Sequence, residues 1–541
     1  MSLRFKPWQL LPLVMLLRAT GSSVEDASAQ VVEKIVQRES EFVRQVRTET
    51  PLIETYIQET PPPGSESQPN RDHYFLGRLS FSPDPKYTAI VARSESRKGS
   101  RLPVLKIRPV IFVPAGFAQM IFIDADGFSP QAHKFEYVHR EFLGDLRCLV
   151  FDVSPAEKDA AGKFVGRIWV EDRDLRVVRF NGTYTRSTSA HMYFHFDSWR
   201  VAVAADRWVP ALIYIEENGT AGKGGSPISF KAQSRLWGYN SDQAARMDEL
   251  THVLVESEAP VSQKEDSGDV SPLESQRSWE RQAEENILSR LEKGGMLAPA
   301  GGVDSVLDTV VNNLIVTNRL NVEAHCRVLL TTPLETLAVG HTIIISRGLI
   351  DVLPDEASLA MVLSDELAHI ALGHRTDTQF AFHNQTMFSD ENLLQRFRFA
   401  RTPAEVAEAG TKAVSILRNS PYKDKMSNAG LFLKALASRA PHFPNLIRAN
   451  IGNQLATGDT SGRLGELTSQ APALEEQQLE QIAALPLGSR IKLDPWTNAI
   501  SLMKAKPVSL LSAREKLFFE ITPVAPHLSR AETAAALKGA Q

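Results

Sequence analysis

Only two of the 541 residues are cysteine, Cys148 and Cys326. That is too few for a disulfide scaffold or a cysteine-rich zinc site, and both read as small apolar packing residues. Neither sign of charge is in excess: 60 Lys and Arg against 64 Asp and Glu leave a formal charge of -4, which removes the electrostatic footing for nucleic-acid binding. Past the amino terminus no apolar run approaches the ~20 residues that a spanning helix needs. Internal repeats and a glycine-rich phosphate loop are also missing. What remains is ordinary globular composition, 43% hydrophobic and 23% charged, which excludes wholesale disorder and allows about three or four domains at roughly 100–200 residues each.

The amino terminus reads as an export signal. Arg4 and Lys6 precede an apolar stretch from Trp8 to Leu17, interrupted by Pro12 and closed by Arg18, and Ala27-Ser28-Ala29 offers small residues before Gln30. Ten apolar residues span only ~15 Å of helix, half of a ~30 Å hydrocarbon layer. The expectation is therefore a signal peptide over 1–29 and an exported protein, soluble in the periplasm or envelope-associated, with no transmembrane anchor after signal removal. No cysteine near the cleavage site speaks for a lipoprotein anchor.

Apolar residues at helical spacing predict one amphipathic helix from Gln30 to about Tyr56, broken by Thr60-Pro61-Pro62-Pro63-Gly64-Ser65. The period then changes to two. Strands are predicted at Phe164–Glu171, Leu175–Tyr184, His191–Phe196, Trp208–Ile215 and Ile228–Trp237, with turn chemistry at Asp172-Arg173-Asp174 and Asn218-Gly219. The stretch from about Glu256 to Gln276, rich in Ser, Glu, Asp and Pro, reads as a linker. Helical periods dominate beyond it, with a strand-like insert at Thr342–Ser346. The expected class is α+β: a β-rich domain over 30–250, a linker over 251–284, a mostly helical domain over 285–475 and a short β and turn extension over 476–541.

The segment carrying chemistry is PDEASLAMVLSDELAHIALGHR, Pro354 to Arg375. Pro354 and Asp355 are helix-start signals, and a helix of about five turns follows. Asp365 and His369 lie four apart on one face, with Glu366 one position around. This is the H-E-x-x-H arrangement with its first imidazole replaced by Asp365. In that motif two imidazoles bind zinc and the intervening glutamate takes a proton from metal-bound water.

The order of Gly340-His341-Thr342-Ile343-Ile344-Ile345-Ser346-Arg347-Gly348-Leu349, then Leu359 through His369, then Leu372-Gly373-His374 resembles the HtpX and CAAX prenyl protease family of metallopeptidases, over about Leu297 to Leu436. The resemblance implies a zincin-like fold, a single zinc ion and hydrolysis of a polypeptide. It assigns Glu366 as general base, and His369 with Asp365 as metal ligands. A third ligand comes from a downstream helix in this family; Asp424 matches that position, or Lys423 in an alignment one residue earlier, and Asn428 stands where a steadying aspartate is usual. Ile343, Ile344 and Ile345 would align substrate by edge pairing. The family's Asn-Ala-Phe stretch is altered to Glu335-Thr336-Leu337. His374 reads as a hydrogen-bonded support or surface group rather than a ligand.

Two of the three ligands therefore depart from the family pattern. Aspartates shift a site toward oxygen-preferring ions, or bind zinc less tightly, and acidify its water less. Reduced or lost activity is the expectation. The amino-terminal helix and strands bear a weaker resemblance to the half-barrel of the lipoprotein carrier LolA, which implies a concave face for a lipid acyl chain or an extended peptide. The two readings are thus a zinc endopeptidase and a non-catalytic pseudopeptidase that binds lipid or polypeptide through its β domain.

Overall fold

Helix α1 (Pro12–Val46) stops short of the predicted end near Tyr56. Pro51 disfavours helical backbone at Thr50 and offers no N–H. The next residues, Leu-Ile-Glu-Thr-Tyr-Ile, bury nearly every side chain on both faces, as strand β1 (Leu52–Glu59). The computed structural model describes residues 12–59, 71–81, 86–91, 112–124, 127–157, 160–185, 193–204, 207–220, 228–239, 272–378, 381–382, 394–456, 463–475, 491–493, 500–502 and 528. The Thr60–Ser65 break and most of the predicted linker lie outside these residues. No helix among them is long and apolar enough to cross a membrane.

A large antiparallel sheet occupies the amino-terminal region, and helices dominate the centre; among the described residues no barrel closes. The remaining strands of this region are β2 (Arg71–Ser80), β3 (Lys86–Ala89), β4 (His133–Leu143), β5 (Leu146–Pro155), β6 (Phe164–Glu171), β7 (Val177–Tyr184), β8 (Phe196–Ala204), β9 (Arg207–Thr220) and β10 (Ile228–Trp237). The alternation predicts β6 and β10 with their observed limits. The strand expected to end at Phe196 instead begins there, and Leu175, at φ +56°, turns the chain ahead of β7.

The chain divides into two compact units that do not follow chain order. One takes its described residues from Met1–Thr48, Gln119–Pro210 and Leu528–Gln541. In it β4 to β8 pair as successive antiparallel hairpins, and Phe164, Phe180 and Phe196 meet edge to face or tilted. α1 is fixed to this sheet by a buried bidentate pair, Arg200 donating to both oxygens of Glu39 at 2.6 and 2.7 Å with its guanidinium 3.6 Å above the Phe42 ring.

The other unit takes Glu49–Ala118 and Ala211–His527. It unites β1, β2, β3, β10 and most of β9 with the helical region. The elements are α2 (Pro272–Lys293), α3 (Gly302–Asn318), β11 (His325–Leu329), β12 (Glu335–Val339), β13 (Thr342–Ser346), α4 (Arg347–Val352), α5 (Glu356–Ala371), α6 (Pro403–Arg418), α7 (Met426–Arg439), α8 (Pro444–Ile447), β14 (Asn453–Gln454) and α9 (Gly465–Gln470). β15 (Ile491–Leu493) and β16 (Ile500–Leu502) pair antiparallel; most of the predicted carboxy-terminal extension lies outside the described residues. Leu52, Tyr56, Leu76 and Trp237 share one core with Leu297, Val328, Ile344 and Leu363. Glu54 of β1 pins the two parts together: it accepts from Arg235, from Thr332 N and Oγ1 at 2.6 and 2.8 Å, and from the Tyr74 hydroxyl at 2.9 Å.

Candidate active site

The four-stranded sheet β11-β13-β12-β14 underlies the motif helix. Gly340, at φ +56°, makes the turn between β12 and β13, a conformation costly for residues with a Cβ. Gly348, one residue into α4, packs so closely that a Cβ there would lie 1.7 Å from the Thr332 carbonyl oxygen, which accounts for glycine in the Arg-Gly-Leu segment. α5 begins as the sequence predicts: Asp355 is the N-cap and accepts from Ser358 N at 2.8 Å. The helix is apolar nearly all round, as a helix inside a core must be. It carries Asp365, Glu366 and His369 to positions with no solvent exposure.

Three charged or titratable groups buried this deeply require partners. The guanidinium of Arg463 is the partner of the two acids. Its Nε pairs with Asp365 Oδ2, its Nη2 donates to Glu366 Oε1 at 2.6 Å, and its Nη1 donates to Thr336 Oγ1 at 2.9 Å. Glu366 Oε1 also accepts from Thr336 Oγ1 at 2.6 Å and from Asn453 Nδ2 at 3.2 Å. One planar cation thus bridges both acids of the motif and reaches β12. Burial pushes the Asp365 carboxyl up to about 6. Burial acts in the same direction on Glu366, but the charge of Arg463 and the hydrogen bonds from Thr336 and Asn453 outweigh it and hold Glu366 below the usual carboxylate range. Burial, aided by Arg463, lowers His369 to about 4, so its imidazole is neutral at pH 7. His369 Nδ1 is 2.8 Å from His374 Nδ1, and His374 Nε2 is 3.4 Å from Glu408 Oε2.

The expected third ligand is elsewhere. Asp424 and Lys423 are exposed in the short turn Lys423–Lys425. The residues flanking that turn contact the start of α5: the Tyr422 hydroxyl donates to Glu356 Oε1 at 2.8 Å and Asn428 Nδ2 to Asp355 Oδ2 at 3.4 Å. Asp355 precedes Asp365 by ten residues, roughly 15 Å along a helix. Neither Asp424 nor Asn428 is thus brought to the acids of α5. The substrate-aligning role of Ile343, Ile344 and Ile345 also fails on geometry. β13 is paired on both sides, by β11 and by β12, and all three side chains are fully buried, so it has no free edge.

A zinc ion does not fit these residues. Asp365 Oδ1, Glu366 Oε2 and His369 Nε2 lack a hydrogen-bond partner and are donor types that metals take. But the acids already face a fixed guanidinium, and a dication placed there would meet that charge at close range in a buried medium. Among the described residues no group of three His, Cys, Asp or Glu is arranged to hold a metal.

Sequence reasoning missed Arg463 and Asn453. The available signal was indirect: two acids on an apolar helix that has lost an imidazole call for a cation from elsewhere.

Residues 336–417, from β12 into the last turn of α6, match the model of Peptidase family M48. Over that stretch the chain is similar to a metallopeptidase family. No curated protein matches the chain. A solved structure, of a LolA superfamily protein from Nitrosomonas europaea, is similar over 38% of this chain and 92% of that one, at 10% identity and a TM-score of 0.19; a likeness of that size carries no argument.

Proposed function

We propose that the metallopeptidase-family region of this protein is a pseudopeptidase, in which the Arg463 guanidinium stands where a catalytic member would hold its ion. The carrying observation is the double pairing of Arg463 with Asp365 and Glu366. A general base needs a proton affinity suited to taking a proton from water near neutral pH; here Glu366 Oε1 accepts from three donors, and the guanidinium it faces holds its carboxyl below the usual carboxylate range. The region then serves binding, with a polypeptide client as the partner class and a lipid acyl chain as the further candidate for the β-rich part. The amino-terminal signal pattern supports export to the periplasm or envelope. Cleavage after Ala29 would leave Gln30–Val46 as the mature part of α1.

The test is elemental analysis of the purified protein together with a peptide-hydrolysis assay of wild type and Glu366→Gln. The expected result is no stoichiometric zinc, and no hydrolysis that the substitution alters. One zinc per chain with hydrolysis abolished in Glu366→Gln would restore the enzyme reading.

A further inference from the structure

A cavity of about 160 Å³ opens in the unit that carries the helical region. Its deep wall is apolar and buried, built by Ile90, Leu291, Met296, Leu394, Phe397 and Ile451. A cavity of about 150 Å³ lined by Leu, Ile and Phe takes a benzene ring, so this one has room for a body of about six carbons. The rest of the wall is polar and carries one sign of charge. Arg398 and Arg448 line it, both exposed, together with Asn450, and among the described residues of the wall none is acidic. The acids behind the 445–452 segment are already engaged. Asp72 accepts from Asn445 Nδ2 at 3.0 Å and from Leu446 N at 2.8 Å, and Glu335 accepts from the backbone N–H groups of Asn450, Ile451 and Gly452.

Two donors on this wall stand ready for an acceptor. Arg398 Nη1 donates to the carbonyls of Gln395 and Phe397, both at 2.8 Å, while its Nε and Nη2 have no partner among the described residues. Asn450 Nδ2 is buried and also lacks a partner. A hydrogen bond from Phe399 N to the Ile451 carbonyl, at 2.9 Å, lays the chain after Arg398 alongside the chain after Asn450 and so brings the two residues to one side of the cavity. A buried donor without an acceptor is uncommon and costs its desolvation, which an acceptor on a bound molecule offsets. We propose that this cavity binds a small organic carboxylate, its apolar body against Ile90, Leu291, Met296, Leu394, Phe397 and Ile451 and its oxygens at Arg398, Arg448 and Asn450 Nδ2. The planar fork of a guanidinium matches a carboxylate, and two cations in a wall without acids select an anion. Inorganic phosphate would meet the same cations but leave the apolar wall unused. This goes beyond the pseudopeptidase reading and does not depend on it.

Calorimetric titration of the full chain with hexanoate, hexanol and inorganic phosphate tests this. Hexanoate should bind at one site with a Kd of about 1 mM or tighter, and hexanol and phosphate at least about tenfold more weakly. Arg398→Gln should weaken hexanoate by about tenfold and leave hexanol unchanged, since it removes a charged partner of the carboxylate and no apolar wall; a merely structural role for Arg398 would not separate the two ligands. Ala449→Phe, which places a ring in the cavity from its half-buried wall, should block both hexanoate and hexanol with little change in Tm. Absence of saturable hexanoate binding at millimolar concentration would overturn the proposal. So would hexanol or phosphate binding as tightly as hexanoate, or hexanoate binding indifferent to Arg398→Gln. Hexanoate bound undiminished by an Ala449→Phe protein that melts like wild type would overturn it too; if that variant fails to fold, the Arg398→Gln comparison decides.

Discussion

Replacing Arg463 by methionine, which keeps the stem volume and removes the charge, isolates the cation that holds the centre together. Arg463, Asp365 and Glu366 are all essentially buried, and the guanidinium makes one contact to each acid and one to Thr336. Removing one partner from a buried ion pair costs about 3–5 kcal/mol, because the remaining charge is left without compensation. Two acids are stranded here, yet one of them, Asp365, already sits at about 6 and can take up a proton near neutral pH. The expected loss is therefore about 3–5 kcal/mol at pH 7, not twice that. It should shrink as pH falls toward 5, since protonation then neutralises the acids of the variant. Urea unfolding of wild type and Arg463→Met at pH 7 and pH 5 measures both quantities. Adding Asp365→Asn and Glu366→Gln to Arg463→Met should recover much of the loss, as neutral groups need no cation. A loss below about 1 kcal/mol at pH 7, or one that grows on acidification, would refute the buried triad.

Other parts of the structure are equally testable. Glu335 is fully buried, and its Oε2 accepts from the backbone N–H groups of Asn450, Ile451 and Gly452 at 2.8, 2.9 and 3.0 Å; Glu335→Ala should cost about 3 kcal/mol or more through stranded donors, and Glu335→Gln clearly less, in the same unfolding assay. Gly348→Ala places a methyl against the Thr332 carbonyl and should destabilise by at least about 3 kcal/mol, read as lost soluble expression or a lowered Tm. His369 is lowered to about 4 in the fold against about 6.5 unfolded. The unfolded chain thus binds the extra proton between those values, and stability rises with pH across that window, by up to about 3 kcal/mol. Comparing urea midpoints of wild type and His369→Gln from pH 7 to pH 4 should show the wild type losing more; an equal loss would contradict the burial of a neutral imidazole.

Much of this was legible in the sequence because it is local. The N-cap Asp355, the helix carrying Asp365, Glu366 and His369, the insert Thr342–Ser346 and the strands Phe164–Glu171 and Ile228–Trp237 each follow from spacing within a dozen residues or so. The features that did not follow are long-range. Leu52 to Ile57 are spaced well enough for a helix, but their burial on both sides between β2 and β10 decides for strand. Ile343 to Ile345 carry the composition of an aligning strand, yet pairing by β11, not composition, closes the free edge. The third-ligand position was read from a family register that the turn at Lys423–Lys425 does not honour. Arg463 is 98 residues from Asp365 and is an ordinary arginine in sequence; only the depth of the acids it meets makes it decisive.

The most direct measurement is a crystal structure of the protein grown with zinc, with anomalous data collected at the zinc edge. The account predicts a planar guanidinium within hydrogen-bond reach of Asp365 and Glu366 and no anomalous peak beside them. A peak about 2.0–2.2 Å from a carboxylate oxygen and from the His369 imidazole, with Arg463 turned away, would contradict it.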